Sequence, residues 1–214
     1  MKQEDKQDYV NRYTKRLNTF GYSPETLGWG KNGRQDIRFS VLSQSIITSP
    51  NCSVLDIGCG FADFYSYLLD KGWNGRYVGT DLVPSLLNIA KEKYPKLELY
   101  NYDIEEAKKL GKFDFVVASG IFNAKLKNTD NKEHINNSLT SMFEIAQNMV
   151  CVDFMSTYVN FQKEDSWHTD PAWLINQINQ LTKRFSLRYD YMPFEFAVFL
   201  YKEDSINKIN TFNI

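Results

Sequence analysis

The feature that most constrains this chain of 214 residues is the stretch Val54-Leu55-Asp56-Ile57-Gly58-Cys59-Gly60-Phe61-Ala62-Asp63. It reads as a short apolar strand that enters a glycine turn and leaves as a helix. Gly58 and Gly60 carry no Cβ, so the backbone there can turn sharply and approach a ligand, with the first free N–H groups of the helix facing it. Taken alone, the same residues also describe a tight strand-to-helix connection that binds nothing. Two acids favour a nucleotide-like ligand. Asp56 lies two positions before Gly58, and Tyr77-Val78-Gly79-Thr80-Asp81 reads as the next strand, with Asp81 at its end. That is about the separation at which dinucleotide folds place an acid on ribose hydroxyls. The spacing Asp-x-Gly-x-Gly-x-Ala nevertheless departs from the Gly-x-Gly-x-x-Gly that cradles a pyrophosphate.

The rest of the chain alternates helix and strand around that stretch. Tyr9, Tyr13, Leu17 and Phe20 recur at helical spacing and predict an amphipathic helix ending at Gly21, either a lid or a helix packed on the sheet. Leu27-Gly28-Trp29-Gly30-Lys31-Asn32-Gly33-Arg34-Gln35 sets an aromatic ring among glycines, and a helix carrying Ile37, Val41, Leu42 and Ile46 follows from about Gln35 to Thr48. Trp29 is placed to cover a ligand, and Arg38 either anchors a ligand carboxylate bidentately or pairs with a surface acid. A helix through Phe64 and Leu68 ends near Gly72, and Pro84 opens another. Leu97 to Asp103 reads as a short strand, and Lys112 to Asn123 as a nearly continuous apolar parallel one bounded by Gly111 and Gly120. A long helix from about Asn131 to Asn148 turns His134 to solvent, and Met149 to Met155 is a fifth strand. Asp170-Pro171 starts a further helix. Phe185 to Tyr191 and Glu195 to Tyr201, joined at Met192-Pro193, form a terminal hairpin.

The turn around Gly58 resembles motif I of the class I S-adenosylmethionine-dependent methyltransferases, with Ala62 in place of the usual third glycine. A terminal antiparallel pair on a parallel sheet is the mark of that form of the doubly wound fold. Gly28-Trp29-Gly30, Ser119-Gly120-Ile121-Phe122-Asn123 and Tyr191-Met192-Pro193-Phe194-Glu195 resemble a group of small bacterial methyltransferases associated with surface-polysaccharide or small-molecule pathways. With motif I, the resemblance covers nearly the whole chain. It implies an α/β, doubly wound, Rossmann-like seven-stranded sheet with the terminal hairpin and an N-terminal helical extension. It implies one domain, 1–214, with residues 1–50 as lid or extension and 51–214 as core. S-adenosyl-L-methionine is the implied cofactor, held by Asp56, Gly58, Cys59 and Gly60, by Asp81 and Leu82, by Asp103 and Ile104 around the adenine, and by Ser119 and Gly120, with Trp29 and Arg38 from the extension. The segment after Ala118 lacks the Asn/Asp-Pro-Pro-Tyr/Phe of nucleic-acid amino methyltransferases.

Composition supports a small-molecule acceptor. A formal net charge of −1 argues against a large nucleic-acid footprint, and no apolar run reaches the roughly 18 residues of a membrane span. Three cysteines without C-x-x-C spacing and two distant histidines predict neither a disulfide framework nor a metal site, and a cytoplasmic monomer or homodimer is expected. The expected acceptor is an oxygen nucleophile of a sugar, nucleotide-sugar or phosphorylated metabolite. His168, Tyr158 and Glu195 are the candidate catalytic residues, expected to line the pocket mouth, with His168 the general base and Asp153 a competitor. The rivals are a nicotinamide-dependent oxidoreductase and a non-catalytic S-adenosylmethionine-binding protein.

Overall fold

The computed structural model of the protein describes residues 1–29 and 33–202. Helix α1 (Gln3–Phe20) stops at Gly21, whose φ of 63° lets its N–H return to the Leu17 carbonyl. α2 (Pro24–Leu27) leads into Trp29, while Gly30, Lys31 and Asn32 of the glycine-rich loop lie outside the described residues. The helix expected over 35–48 is two, α3 (Arg34–Leu42) and α4 (Gln44–Ile47). Ser43 ends one and caps the next, its carbonyl accepting the N–H groups of both Ile46 and Ile47. The break seats Ile46 fully in the core and leaves Ile37 39% exposed.

The alternating part follows in the expected order: β1 (Ser53–Ile57), α5 (Asp63–Asp70), β2 (Arg76–Thr80), α6 (Pro84–Lys93), β3 (Glu98–Tyr100), α7 (Ile104–Ala107), β4 (Phe113–Ala118), α8 (Asn131–Ile145) and β5 (Ala146–Met155). The third strand is shorter than predicted because Asp103 leaves it to cap α7 in a capping box with Glu106. α8 ends three residues early, and β5 begins at once at Ala146. α9 (Pro171–Leu181) is capped by Asp170, which accepts the Ala172 N–H. β6 (Phe185–Arg188) and β7 (Glu195–Tyr201) make the terminal hairpin.

The seven strands lie in the order β3-β2-β1-β4-β5-β7-β6, with β1 to β5 mutually parallel and β7 antiparallel to both β5 and β6. Residues two apart on a strand share a face. Val54, Phe115, Val117, Cys151, Ala197 and Phe199 therefore meet α3 and α5, while Leu55, Ile57, Val116, Val150, Val152, Phe196 and Val198 meet α8 and α9. Cys52, Cys59 and Cys151 are buried free thiols. α1 belongs to neither layer. Its Tyr13 and Leu17 pack with Leu27 on Phe61, Val83 and Leu86, so it lies across the edge where the parallel strands end. The strand order reverses between β1 and β4, and doubly wound sheets bind ligands in the crevice at that point.

Candidate cofactor and acceptor site

A cavity of about 440 Å³ opens at that crevice, within the range of small-ligand sites. Its floor is the glycine turn after β1. Gly58 has φ +76°, its N–H and that of Cys59 go to the Thr80 carbonyl, and a Cβ on it would run into Ile121. Gly120 has the same need: at φ +72°, a Cβ there would strike the Trp29 ring. Both positions require glycine because two loops close on each other over the turn.

Of the residues assigned to the cofactor, Trp29, Gly58, Gly60, Asp81, Leu82, Asp103, Ile104, Ser119 and Gly120 line this cavity. Asp56 and Cys59 line a smaller hollow of about 30 Å³ that shares Trp29, Gly58 and Ser119 with it. Arg38 lines neither. Its Nε donates to Glu195 Oε2 at 2.6 Å and its Nη2 to Glu195 Oε1, so the carboxylate it grips is one of the chain's own. That corrects its expected role as an anchor for a ligand carboxylate and removes Glu195 from the pocket mouth. His168 and Tyr158 are not on the cavity wall either. Tyr158 is 63% exposed, and His168 lies in the loop that the Ser156 to Thr169 bridge ties to the end of β5. Burial holds the His168 imidazole below its ordinary pKa.

The acids differ in their engagement. Asp56 is buried, accepts the Tyr77 hydroxyl, and is pushed up to about 7 by desolvation against that hydrogen bond. Asp81 accepts the N–H groups of Gly60 and Val83, each at 2.8 Å, and burial pushes it up to about 6. It thus braces the glycine turn while facing the cavity. Asp103 caps α7 through Oδ1 and meets Lys6 of α1 through Oδ2. Burial alone would raise its pKa, but Lys6 and the Glu106 and Glu105 N–H groups hold it below the ordinary value.

Sequence reasoning left α1 open between a lid and a helix packed on the sheet, and it missed the tie that Asp5 makes and the wall that α8 supplies. α1 roofs the cavity with Lys6, Tyr9 and Tyr13, and the Tyr9 hydroxyl donates to the Ile121 carbonyl at 2.8 Å. Asp5, 2% exposed, straps that roof down by accepting the Lys127 N–H at 2.9 Å, the Asn128 N–H at 3.1 Å and the Thr129 hydroxyl at 2.7 Å. The far wall is the polar row His134, Asn137, Ser138 and Ser141 of α8. His134, expected in solvent, packs edge-on against Phe122, and desolvation pushes its pKa down to about 4. Small polar residues at i, i+4 and i+7 were the available signal.

The arrangement suits a nucleoside without phosphates. Asp81 and Asp103 present acceptors at neighbouring strand ends, and Leu82, Ile104 and Ile121 offer apolar surface for a flat ring. At the start of α5, where a phosphate would sit, Asp63 already stands in the first turn, bonded to the Tyr22 hydroxyl at 2.6 Å and to Lys93 at 3.2 Å. S-adenosylmethionine fits these residues.

Comparison with known proteins agrees. Residues 54–144 match the family described as a methyltransferase domain. A Mycobacterium tuberculosis protein with a provisional methyltransferase name is 28% identical over 156 residues, spanning 70% of this chain and 93% of that one. Magnesium protoporphyrin IX methyltransferase from Synechocystis PCC 6803, crystallised with S-adenosylhomocysteine, superposes with a TM-score of 0.68 at 13% identity, covering 93% of this chain and 100% of its own. An S-adenosylmethionine-dependent methyltransferase from Clostridium acetobutylicum gives 0.63 at 11% identity, covering 89% and 98%. At such identities the solved structures speak for the fold alone. Residues 54–144 thus match a methyltransferase domain, and they lie in a fold shared with methyltransferases and beside a site that suits S-adenosylmethionine.

Proposed function

We propose that this methyltransferase acts on a small molecule, at an oxygen of a sugar, nucleotide-sugar or phosphorylated metabolite. The observation that carries the reading is the roof: α1 crosses the cavity and is tied to the loop at 127–129 through Asp5, so an acceptor enters beneath a fixed helix. Such a roof favours a small acceptor over a folded macromolecule. Association with a surface-polysaccharide or similar pathway rests on the resemblance of the three segments named above. Within one domain, α1 and α2 of the N-terminal extension act as the cover, whereas α3 and α4 pack with the sheet as part of the core. Among the described residues no helix is long and apolar enough to cross a membrane. Three free buried thiols suit a reducing cytoplasm, and a monomer or homodimer is the expected state.

When bound, S-adenosylmethionine supplies an electrophilic methyl group, so the chain's work is to position the acceptor in line with it and to exclude water. Asp81 and Asp103 are assigned to the cofactor's hydroxyl and amino hydrogens. Gly58 and Gly120 keep the floor open, and Trp29 with α1 closes it from water. Calorimetry with S-adenosylhomocysteine and NAD(H), followed by turnover with a panel of sugars, sugar phosphates and nucleotide-sugars, tests the reading. S-adenosylhomocysteine binds and NAD(H) does not, and at least one panel member is methylated on oxygen. Methylation confined to amines, proteins or RNA would overturn the acceptor class.

A further inference from the structure

Behind Ser119 lies a buried charge cluster that cofactor binding does not use. Asp153 on β5 and Glu195 on β7 fall on the sheet face covered by α3, because Asp153 pairs with Ala197 and Met155 with Glu195 across the antiparallel ladder. Arg38 reaches down from α3, forks onto Glu195 and stacks its guanidinium 4.2 Å from the Trp29 ring centroid. Asp153, Glu195 and Arg38 are 1%, 8% and 4% exposed. Two carboxylates therefore share one guanidinium away from water. A buried net negative charge is costly, and uptake of one proton removes it. Around this group stand the Tyr191 hydroxyl, buried without a partner, and the more distant charges of Arg34 and Arg188.

Asp153 is joined to the cavity by one side chain. Its Oδ1 accepts the Gly120 N–H at 2.7 Å and its Oδ2 accepts the Ser119 hydroxyl at 2.5 Å. Ser119 lines both the main cavity and the hollow beside Asp56, next to Gly58. With its proton committed to Asp153, its oxygen keeps lone pairs free to accept a hydrogen bond from a ligand.

Resting on the oxygen-acceptor reading above, we propose that Ser119 and Asp153 form the proton path of methyl transfer. As the acceptor oxygen bonds to the methyl carbon, the carbon–sulfur bond breaks and its electron pair stays on sulfur. The acceptor's proton passes to Ser119 Oγ while the Ser119 hydroxyl proton passes to Asp153 Oδ2. The sulfonium charge and the carboxylate charge vanish in the same step, and the cluster ends neutral. Burial lifts the Asp153 carboxyl above the ordinary range, against the pull of Arg38, Ser119 and the Gly120 N–H, so the group is a better proton acceptor than a surface aspartate. His168 is not needed as a base.

The test has two arms. In Asp153→Asn the side-chain oxygen still accepts the Gly120 N–H while the amide cannot take the Ser119 proton. With the panel member that turns over, Asp153→Asn and Ser119→Ala lower kcat by about 10²-fold or more, Ser119→Thr restores most of it, and Asp153→Asn, away from the cavity wall, leaves affinity for S-adenosylhomocysteine unchanged. The wild-type rate falls on the acid side as Asp153 becomes protonated, and Asp153→Asn loses that limb. In the second arm, carboxyl ¹³C NMR of the S-adenosylhomocysteine complex, assigned by Asp153→Asn, shows Asp153 titrating above the usual carboxylate range. An Asp153 that stays ionised below pH 4, or an Asp153→Asn enzyme with near-normal kcat and the same acid limb, would overturn the path. If no oxygen acceptor turns over, the acceptor reading fails, and the NMR arm still decides whether Asp153 takes a proton.

Discussion

Asp56 is a carboxyl that the free protein holds at a disadvantage when ionised. Its pKa rises from 3.8 to about 7 on folding, chiefly through desolvation. A group whose folded pKa is raised stabilises the native state below the unfolded value and loses that contribution as pH climbs through the folded one. Unfolding by urea at pH 5 and pH 7.5 should therefore show a decline that Asp56→Asn lessens by roughly 2–3 kcal/mol, since each tenfold change in proton affinity is worth about 1.36 kcal/mol. A decline of equal size in the variant would mean that Asp56 is not its source. Ala62 poses a different balance. It sits at φ 58°, fully buried, where the family carries glycine. A left-handed residue with a Cβ costs about 1–2 kcal/mol. Glycine would relieve that, but would forfeit about 0.8 kcal/mol of methyl burial and about 0.5–1 kcal/mol of backbone entropy. Ala62→Gly is thus expected within about 1 kcal/mol of the parent, whereas Ala62→Val, branched at a strained position, should cost more than about 2 kcal/mol, the sum of overpacking and strain. Chemical denaturation of the two variants measures both.

At the scale of elements, the cover is the part whose behaviour is easiest to perturb. α1 has few hydrophobic anchors, Tyr13 and Leu17 among them, and depends on polar ties to both rims of the cavity. Asp5→Ala leaves the N–H groups of Lys127 and Asn128 without their acceptor, a loss of about 1–3 kcal/mol where such groups stay buried. Hydrogen exchange in α1 should quicken and S-adenosylhomocysteine should dissociate faster, while protection in β1 and β4 holds. Unchanged exchange in α1 would show that the hydrophobic contacts suffice. The amphipathic pattern of α1 was visible in the sequence, but its placement was not. Asp5 and Lys6 look like any charged first turn until residues 103 and 127–129 are brought to them. The split at Ser43 was hidden for a similar reason, since Ile37 and Ile46 fit one periodic stripe until tertiary packing chooses which to bury.

For the whole molecule, sequence was most informative where contacts are local or periodic. Motif I, the Asp81 strand end and the hairpin each depend on a few neighbouring residues, and together they define the sheet and the cofactor edge. The acceptor side depends on contacts that span the chain. Arg38 and Glu195, separated by 157 residues, each read as ligand-facing because neither revealed the other. His168 drew attention as a titratable loop residue, while Asp153 stood only as its competitor and Ser119 only as a cofactor contact, because the hydrogen bond that joins them spans 34 residues of sequence. His134 was given to solvent because a helix of mixed polarity does not show which polar side faces a cavity.

Trp29 gives the site a signal of its own. Its ring is held between the Arg38 guanidinium and the Cβ-less backbone of Gly120, on the wall that a ligand must touch. Filling the cavity exchanges water at the indole for ligand, and the excited state of an indole responds to that exchange. The unlabelled protein should therefore report S-adenosylhomocysteine titration through its intrinsic fluorescence, over the steadier emission of Trp73, Trp167 and Trp173, which do not line the cavity. In Trp29→Phe the emission change should vanish while calorimetry still records binding. A change that survives the substitution would assign the signal to another tryptophan.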